Sequence, residues 1–133
     1  MKIGVEFSGI RPLSVRVQGP GFLLLTRVRT VSEVEVTIVT MAFDASDPDR
    51  LQSVLAKYVV ISRGHPGCRN IDLCASATTP GRFVIIQKWE SPDAQRAHFD
   101  SKDMVEMAAA CNGLLSKPPQ IDLLEGISAH DLN

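Results

Sequence analysis

The stretch "RFVIIQKWESPDAQRAHFDSKDM" (82–104) gathers most of the side chains in this chain that could do chemistry. Period-two alternation sets Phe83, Ile85, Gln87 and Trp89 on one face of a strand, so a greasy floor gives way to an amide and then an indole. A Ser-Pro-Asp break follows, and His98 lies about two turns into the helix which that break starts. Such a row could line a pocket for a flat aromatic molecule, with His98 closing over its polar end. An imidazole with a reference pKa near 6.5 suits a general base. The indole N–H of Trp89 and the amide of Gln87 are the candidate donors to the anion that a base would create. Tyr58 and Met104, on the helices that cover the same face, are candidate contacts for the same ligand.

Each of these residues also has a plainer reading. A lone tryptophan at a strand end is more often core than catalytic, and a lone helix histidine is usually a surface or capping residue. Gln87 can satisfy a neighbouring backbone group, and Tyr58, Met104 and Met107 can pack helix against sheet. Only a structure that brings Trp89 and His98 together would favour the chemical reading.

The rest of the chain narrows the classes. Its 133 residues suit one domain with a real core. A net charge of −1 without a basic run offers no footprint for nucleic acid or an anionic membrane. The runs "FLLL" and "FVII" are far too short to span a bilayer, and "MKIGVEFSGIRP" lacks the apolar stretch of a signal peptide, so a cytoplasmic location is expected. The three cysteines form no C-x-x-C pair. Cys68 and Cys74, bracketing one strand, would stand about 20 Å apart, so buried free thiols are expected. His65, His98 and His130 share no metal-ligand spacing, and neither a phosphate loop nor a G-x-S-x-G elbow is present. No metal and no cofactor are expected.

The elements that must position the site are legible from about Val34. "VEVTIVTMAF" (34–43) reads as a central strand, apolar on both faces. Asp47 and Pro48 start a helix with Leu51, Val54, Leu55, Tyr58 and Val59 on one stripe, and Gly64 is placed to end it. "RNIDLCASA" and "FVIIQKWE", joined by "TTPGR", form a hairpin. Ser91 and Pro92 open a short helix to about Phe99. Ser101 opens a longer one with Met104, Met107, Ala108, Cys111 and Leu115 on one face, ended by "SKPPQ". "IDLLEGI" closes the order β-α-β-β-α-β, whose simplest arrangement is a ferredoxin-like antiparallel sheet with helices on one face. The other sheet face would then be open and apolar, which predicts a partner sheet. The division expected is an amino-terminal extension over 1–33, read as a β-arm from "IGVEF", "LSVRV" and "FLLLTRV", and a domain over 34–133.

From Val34 to Ile127 the chain resembles the antibiotic biosynthesis monooxygenase family, small dimeric α+β barrels. The signposts are "HPGC" (65–68), "FVIIQKWES" (83–91), then Ala94, His98 and Ser101, and the closing "PPQIDLLEGI". The resemblance implies a homodimer acting on a small molecule. Its characterised branches are cofactor-free oxygenases of anthrones and quinols, haem-degrading oxygenases, and enzymes of a small signalling ketone. The haem branch places an asparagine in the first strand and a ligating histidine after the helix tryptophan. Here "VEVTIVTMAF" has no asparagine and "MAAA" (107–110) stands where the ligand would be, which disfavours haem. The anthrone branch carries asparagine four residues before the tryptophan, where this chain has Ile85. The quinol branch carries glutamate two before it, where this chain has Gln87.

The expectation is therefore a cofactor-independent monooxygenase of a quinol-like or polyketide aromatic substrate, using O₂. The site would be built on His98 and Trp89 with Phe83, Ile85, Gln87, Tyr58 and Met104. The alternatives are a non-catalytic dimeric small-molecule-binding module on the same scaffold and an isomerase of a small hydroxyketone.

Overall fold

A computed structural model describes residues 36–129. The amino-terminal arm expected over 1–33, and His130, lie outside those residues. Four strands and three helices follow in the order β1 (Thr37–Asp44), α1 (Pro48–Ser62), β2 (Cys68–Ala75), β3 (Arg82–Trp89), α2 (Pro92–Phe99), α3 (Lys102–Ala110) and β4 (Gln120–Glu125). The strands pair antiparallel in the spatial order β2-β3-β1-β4, the ferredoxin-like arrangement. Among the described residues no helix is long and apolar enough to cross a membrane.

Strand alternation decides which side chains meet the helices. On β1 these are Thr37, Val39, Met41 and Phe43, all buried, and on β3 they are Phe83, Ile85, Gln87 and Trp89. The register sets them opposite one another as Thr37–Trp89, Val39–Gln87, Met41–Ile85 and Phe43–Phe83. Leu51, Leu55, Tyr58 and Val59 of α1 close over this ladder, with Met104, Met107 and Ala108 of α3 beside them. The other sheet face carries Ile38, Ala42, Val84 and Ile86, each only half-covered, and the exposed Leu124.

The helix starts follow the caps that the sequence offers. Asp47 accepts from the Arg50 N–H at 3.3 Å, Ser91 from Ala94 at 3.1 Å and Ser101 from Met104 at 3.3 Å. α2 and α3, with 8 and 9 residues, are too short to persist alone, so their stability comes from docking. α3 stops at Ala110, earlier than its stripe of apolar residues suggests. Gly113 takes a left-handed φ of +80° and turns the chain, and the Leu114 carbonyl then accepts from Ser46 N–H at 2.9 Å. Leu115 pairs with Ala45 instead of extending the helix.

Gly64 does not use glycine's conformational freedom, but Gly67 does. Its φ is +81°, and a β-carbon there would fall 2.5 Å from Ala94 Cβ of α2. The missing side chain lets the α1–β2 loop lie directly against α2, while Gly67 O accepts from Glu90 N–H at 2.9 Å. Gly67→Ala is therefore expected to lower stability by about 1–3 kcal/mol through a strained φ and a clash. Ala94→Gly should return only the steric share, which a double-mutant cycle in urea measures. An alanine variant as stable as the parent would contradict this account of the loop.

Candidate functional site

Beneath α1 and α2 six side chains with polar groups are joined end to end. Trp89 Nε1 donates to Gln87 Oε1 at 2.9 Å. Gln87 Nε2 donates to Tyr58 Oη at 2.7 Å, and it also lies 3.5 Å from Met41 Sδ. Tyr58 Oη is 2.6 Å from His98 Nε2, and His98 Nδ1 is 2.9 Å from His65 Nδ1. His65 Nε2 reaches Asp103 Oδ2 at 2.7 Å. One chain of five hydrogen bonds thus links β3, α1, α2, the α1–β2 loop and α3.

Where each imidazole carries one hydrogen, the direction of every bond follows from the far end. A carboxylate only accepts, so His65 Nε2 carries the hydrogen and its Nδ1 is left as an acceptor. His98 must then donate from Nδ1, which leaves Nε2 to accept the Tyr58 O–H. Tyr58 oxygen accepts from Gln87, whose carbonyl accepts from the indole. Each group between Trp89 and Asp103 serves once as donor and once as acceptor along the chain, and all five hydrogens point towards Asp103.

Aromatic contacts hold the centre. The Trp89 ring stacks on His98 with centroids 4.5 Å apart and planes at 27°, and His65 meets His98 edge-on at 4.7 Å. His98 is 3% exposed, and burial lowers its pKa to about 4. The neighbouring His65 pushes the same way, and the Asp103 charge opposes them both. Burial also raises the Tyr58 phenol well above its ordinary value, against the pull of the Gln87 hydrogen bond. Both groups are therefore neutral around pH 7.

Two cavities flank this chain. One of about 340 Å³ lies between α1 and α3 and is lined by Val54, Lys57, Tyr58, Ile61, Asp103 and Met107 among others. The second, of about 390 Å³, is lined by His65 and His98 together with Glu90, Asp93 and Ala94. Among the described residues, no three of histidine, cysteine, aspartate and glutamate are placed to hold a metal ion. Cys68, Cys74 and Cys111 are all free thiols.

The residues singled out from the sequence are brought together in part. Trp89, Gln87, Tyr58 and His98 form one contiguous cluster. Phe83, Ile85 and Met104 are core side chains, and none of them, nor Trp89 or Gln87, lines either cavity. The indole N–H and the Gln87 amide, expected as free donors, are already engaged with each other and with Tyr58. His98 does not keep a pKa near 6.5, because burial moves it. His65 and Asp103 were missed. Their signal was a histidine beside the Pro-Gly that turns back under α2 and an acid in the first turn of the following helix, which the ferredoxin-like topology brings to one end of the sheet.

The four-stranded antiparallel sheet with its helices on one face defines a ferredoxin-like α+β protein. The profile of antibiotic biosynthesis monooxygenases matches residues 36–110, and the chain belongs to that family. Solved structures with the same fold include a candidate antibiotic biosynthesis monooxygenase from Caulobacter crescentus, 19% identical with a TM-score of 0.65 over 71% of this chain and 92% of that one. A Mycobacterium tuberculosis protein is 26% identical with a TM-score of 0.64 over 71% of this chain and 97% of its own. A Nitrosomonas europaea protein of unknown function is 18% identical with a TM-score of 0.66 over 77% and 99%. A search of the curated proteins finds no match.

The buried histidine sets a pH dependence of stability. In the unfolded chain His98 takes up a proton near pH 6.5, but the native one does so only at about 4. Between those values the unfolded state binds more protons, so stability falls as pH drops through the window, by about 3 kcal/mol from this group. Urea midpoints followed from above pH 6.5 down to about 4 should show the loss, and His98→Gln should remove that share of the slope. A parent whose stability is flat across the window would contradict a native histidine held neutral.

Proposed function

We propose that the chain is a cofactor-independent monooxygenase of a quinol-like or polyketide aromatic substrate. The observation that carries this reading is the Tyr58–His98 pair: a phenol that lines a cavity and donates into a buried, neutral imidazole. Val54, Ile61 and Met107 give the cavity an apolar side, Lys57, Asp103 and Glu106 a charged one, and its volume lies at the small end of the range for ligand sites.

The chemistry asks for a proton acceptor in a dry place. A substrate hydroxyl or an acidic C–H would give its proton to Tyr58 oxygen as the Tyr58 hydrogen passes to His98 Nε2. Tyrosinate need never form, which matters because burial disfavours it. Lifting a proton from a phenol near 10 to an imidazole at about 4 climbs roughly 8 kcal/mol. That uphill step is a lower bound on the barrier to proton removal, and any stabilisation of the substrate anion by the site lowers it.

The substrate anion then supplies the electrons. For an anthrone-type methylene, the carbanion gives one electron to O₂, and the carbon radical and superoxide couple to a peroxide. Loss of the second C–H proton expels water and leaves a carbonyl. One oxygen atom enters the product and the other leaves as water, with the substrate as the only reductant. The second reading, a non-catalytic binding module, has its own support: Trp89 and Gln87 spend their donors on each other and on Tyr58, leaving fewer to steady an anion.

The protein would act as a homodimer. Ile38, Ala42, Val84, Ile86 and Leu124 form an apolar patch among Thr40, Asp72, Lys88 and Asp122 on one sheet face, and the same face of a second copy would cover it. Sedimentation at micromolar concentration is expected to give twice the chain mass, and a stable monomer would remove the dimeric barrel.

Oxygen uptake with a panel of hydroquinones and anthrones, without added cofactor, tests the activity. Turnover is expected, and His98→Ala should lower it by roughly 10²–10⁴-fold. Tight binding with no oxygen consumed would select the binding module instead.

A further inference from the structure

We infer that His65 and Asp103 are the outlet by which a proton received at His98 leaves the protein interior. The inference rests on the reading above, in which Tyr58 and His98 take the substrate proton, and assigns the two residues beyond them. Of His98, His65 and Asp103, His98 is the most enclosed at 3% exposure, while the His65 side chain is 18% exposed and the Asp103 side chain 29%. The path therefore rises from core to surface in two contacts, of 2.9 Å and 2.7 Å.

The direction of the hydrogens makes the path usable. As the Tyr58 hydrogen arrives at His98 Nε2, the hydrogen on His98 Nδ1 moves to His65 Nδ1, and that on His65 Nε2 moves to Asp103 Oδ2. Three N–H or O–H bonds break and three form. The proton deficit left at Tyr58 is filled by the substrate, so the negative charge moves from Asp103 to the substrate oxygen or carbon. Both imidazoles end neutral, each with its hydrogen on the other nitrogen. Neither buried ring has to hold a charge, which a desolvated site penalises heavily. The Asp103 side chain is 29% exposed, so solvent can collect the proton from its carboxyl group.

A purely structural role would need the same contacts but not the same hydrogens. A carboxylate could orient His65 without ever accepting its proton, and Asp103→Asn separates the two cases. The amide oxygen can still accept from His65 Nε2–H, so ring positions and tautomers are kept, but it cannot take the proton on. Gly67 serves the outlet from behind, because its bare backbone lets the loop carrying His65 approach α2.

The test uses the full chain with ¹⁵N-labelled histidine. In the parent, ¹⁵N–¹H correlation is expected to place hydrogen on Nδ1 of His98 and on Nε2 of His65. The His98 N–H and the Tyr58 O–H should exchange with water about tenfold or more slowly in Asp103→Asn, at unchanged melting temperature, and Asp103→Glu should recover much of the rate. With a substrate from the oxygen-uptake panel, Asp103→Asn should lower kcat by about 10²-fold and leave KM alone. Reversed tautomers, or exchange that Asp103→Asn does not slow, would overturn the outlet. Absence of turnover across the panel would instead defeat the functional reading, and the exchange rates would still decide whether the outlet exists.

Discussion

Burying an imidazole obliges a protein to pair both ring nitrogens, and in this chain that obligation governs where four separate elements stand. An unpaired nitrogen on His98 would cost about 1–3 kcal/mol. Tyr58 of α1 meets one nitrogen, and His65 of the α1–β2 loop meets the other. His65 then needs a partner of its own and finds Asp103 at the start of α3. The buried side chains of α2 are Gln95 and His98, and its apolar Ala94 and Phe99 reach the core only in part. A helix of 8 residues is held against the sheet largely by the histidine it carries and by the Trp89 ring beneath it.

The sheet makes the same concession to polarity at Gln87. Its cross-strand neighbours are Val39 and Ile71, and it is 2% exposed, so an isolated amide there would be a serious defect. Every polar atom is instead engaged, the carbonyl by Trp89 and the nitrogen by Tyr58 and Met41. Apolar side chains of similar volume would fill the space at no greater cost, as they commonly do for buried polar groups. Such a filling could not supply a continuous set of exchangeable hydrogens from the end of β3 to the surface at Asp103.

Much of this was legible from residue order. The period-two faces of β1 and β3, the caps at Asp47, Ser91 and Ser101, and the β-α-β-β-α-β sequence depend on neighbours in the chain, and they appear where the pattern places them. The end of α3 was misjudged because its apolar stripe continues through Cys111 to Leu115, while Gly113 turns the backbone away. The outer half of the site was hidden for a different reason. His65 and His98 are separated by 33 positions and His65 and Asp103 by 38, so no local periodicity connects them. Engagement of the Trp89 and Gln87 donors is equally a tertiary fact. Both residues were placed on the correct face, but whether they face a ligand or each other depends on rotamers that sequence spacing does not encode.

What distinguishes this cluster from an ordinary buried polar patch is the chemistry of its two ends. An indole can only donate and a carboxylate can only accept. The four groups between them, an amide, a phenol and two imidazoles, can each serve in either sense. Had the ends been amphoteric as well, two opposite hydrogen arrangements would compete, and the buried rings would divide between tautomers. With one hydrogen on each imidazole, Trp89 and Asp103 together admit one arrangement, in which Nε2 of His98 is left as the acceptor facing Tyr58. Even though neither the tryptophan nor the aspartate touches that nitrogen, each fixes the state in which it can take a proton. The basicity of the centre is therefore a property of the whole chain of contacts, set at one end by a strand residue and at the other by the first turn of a helix.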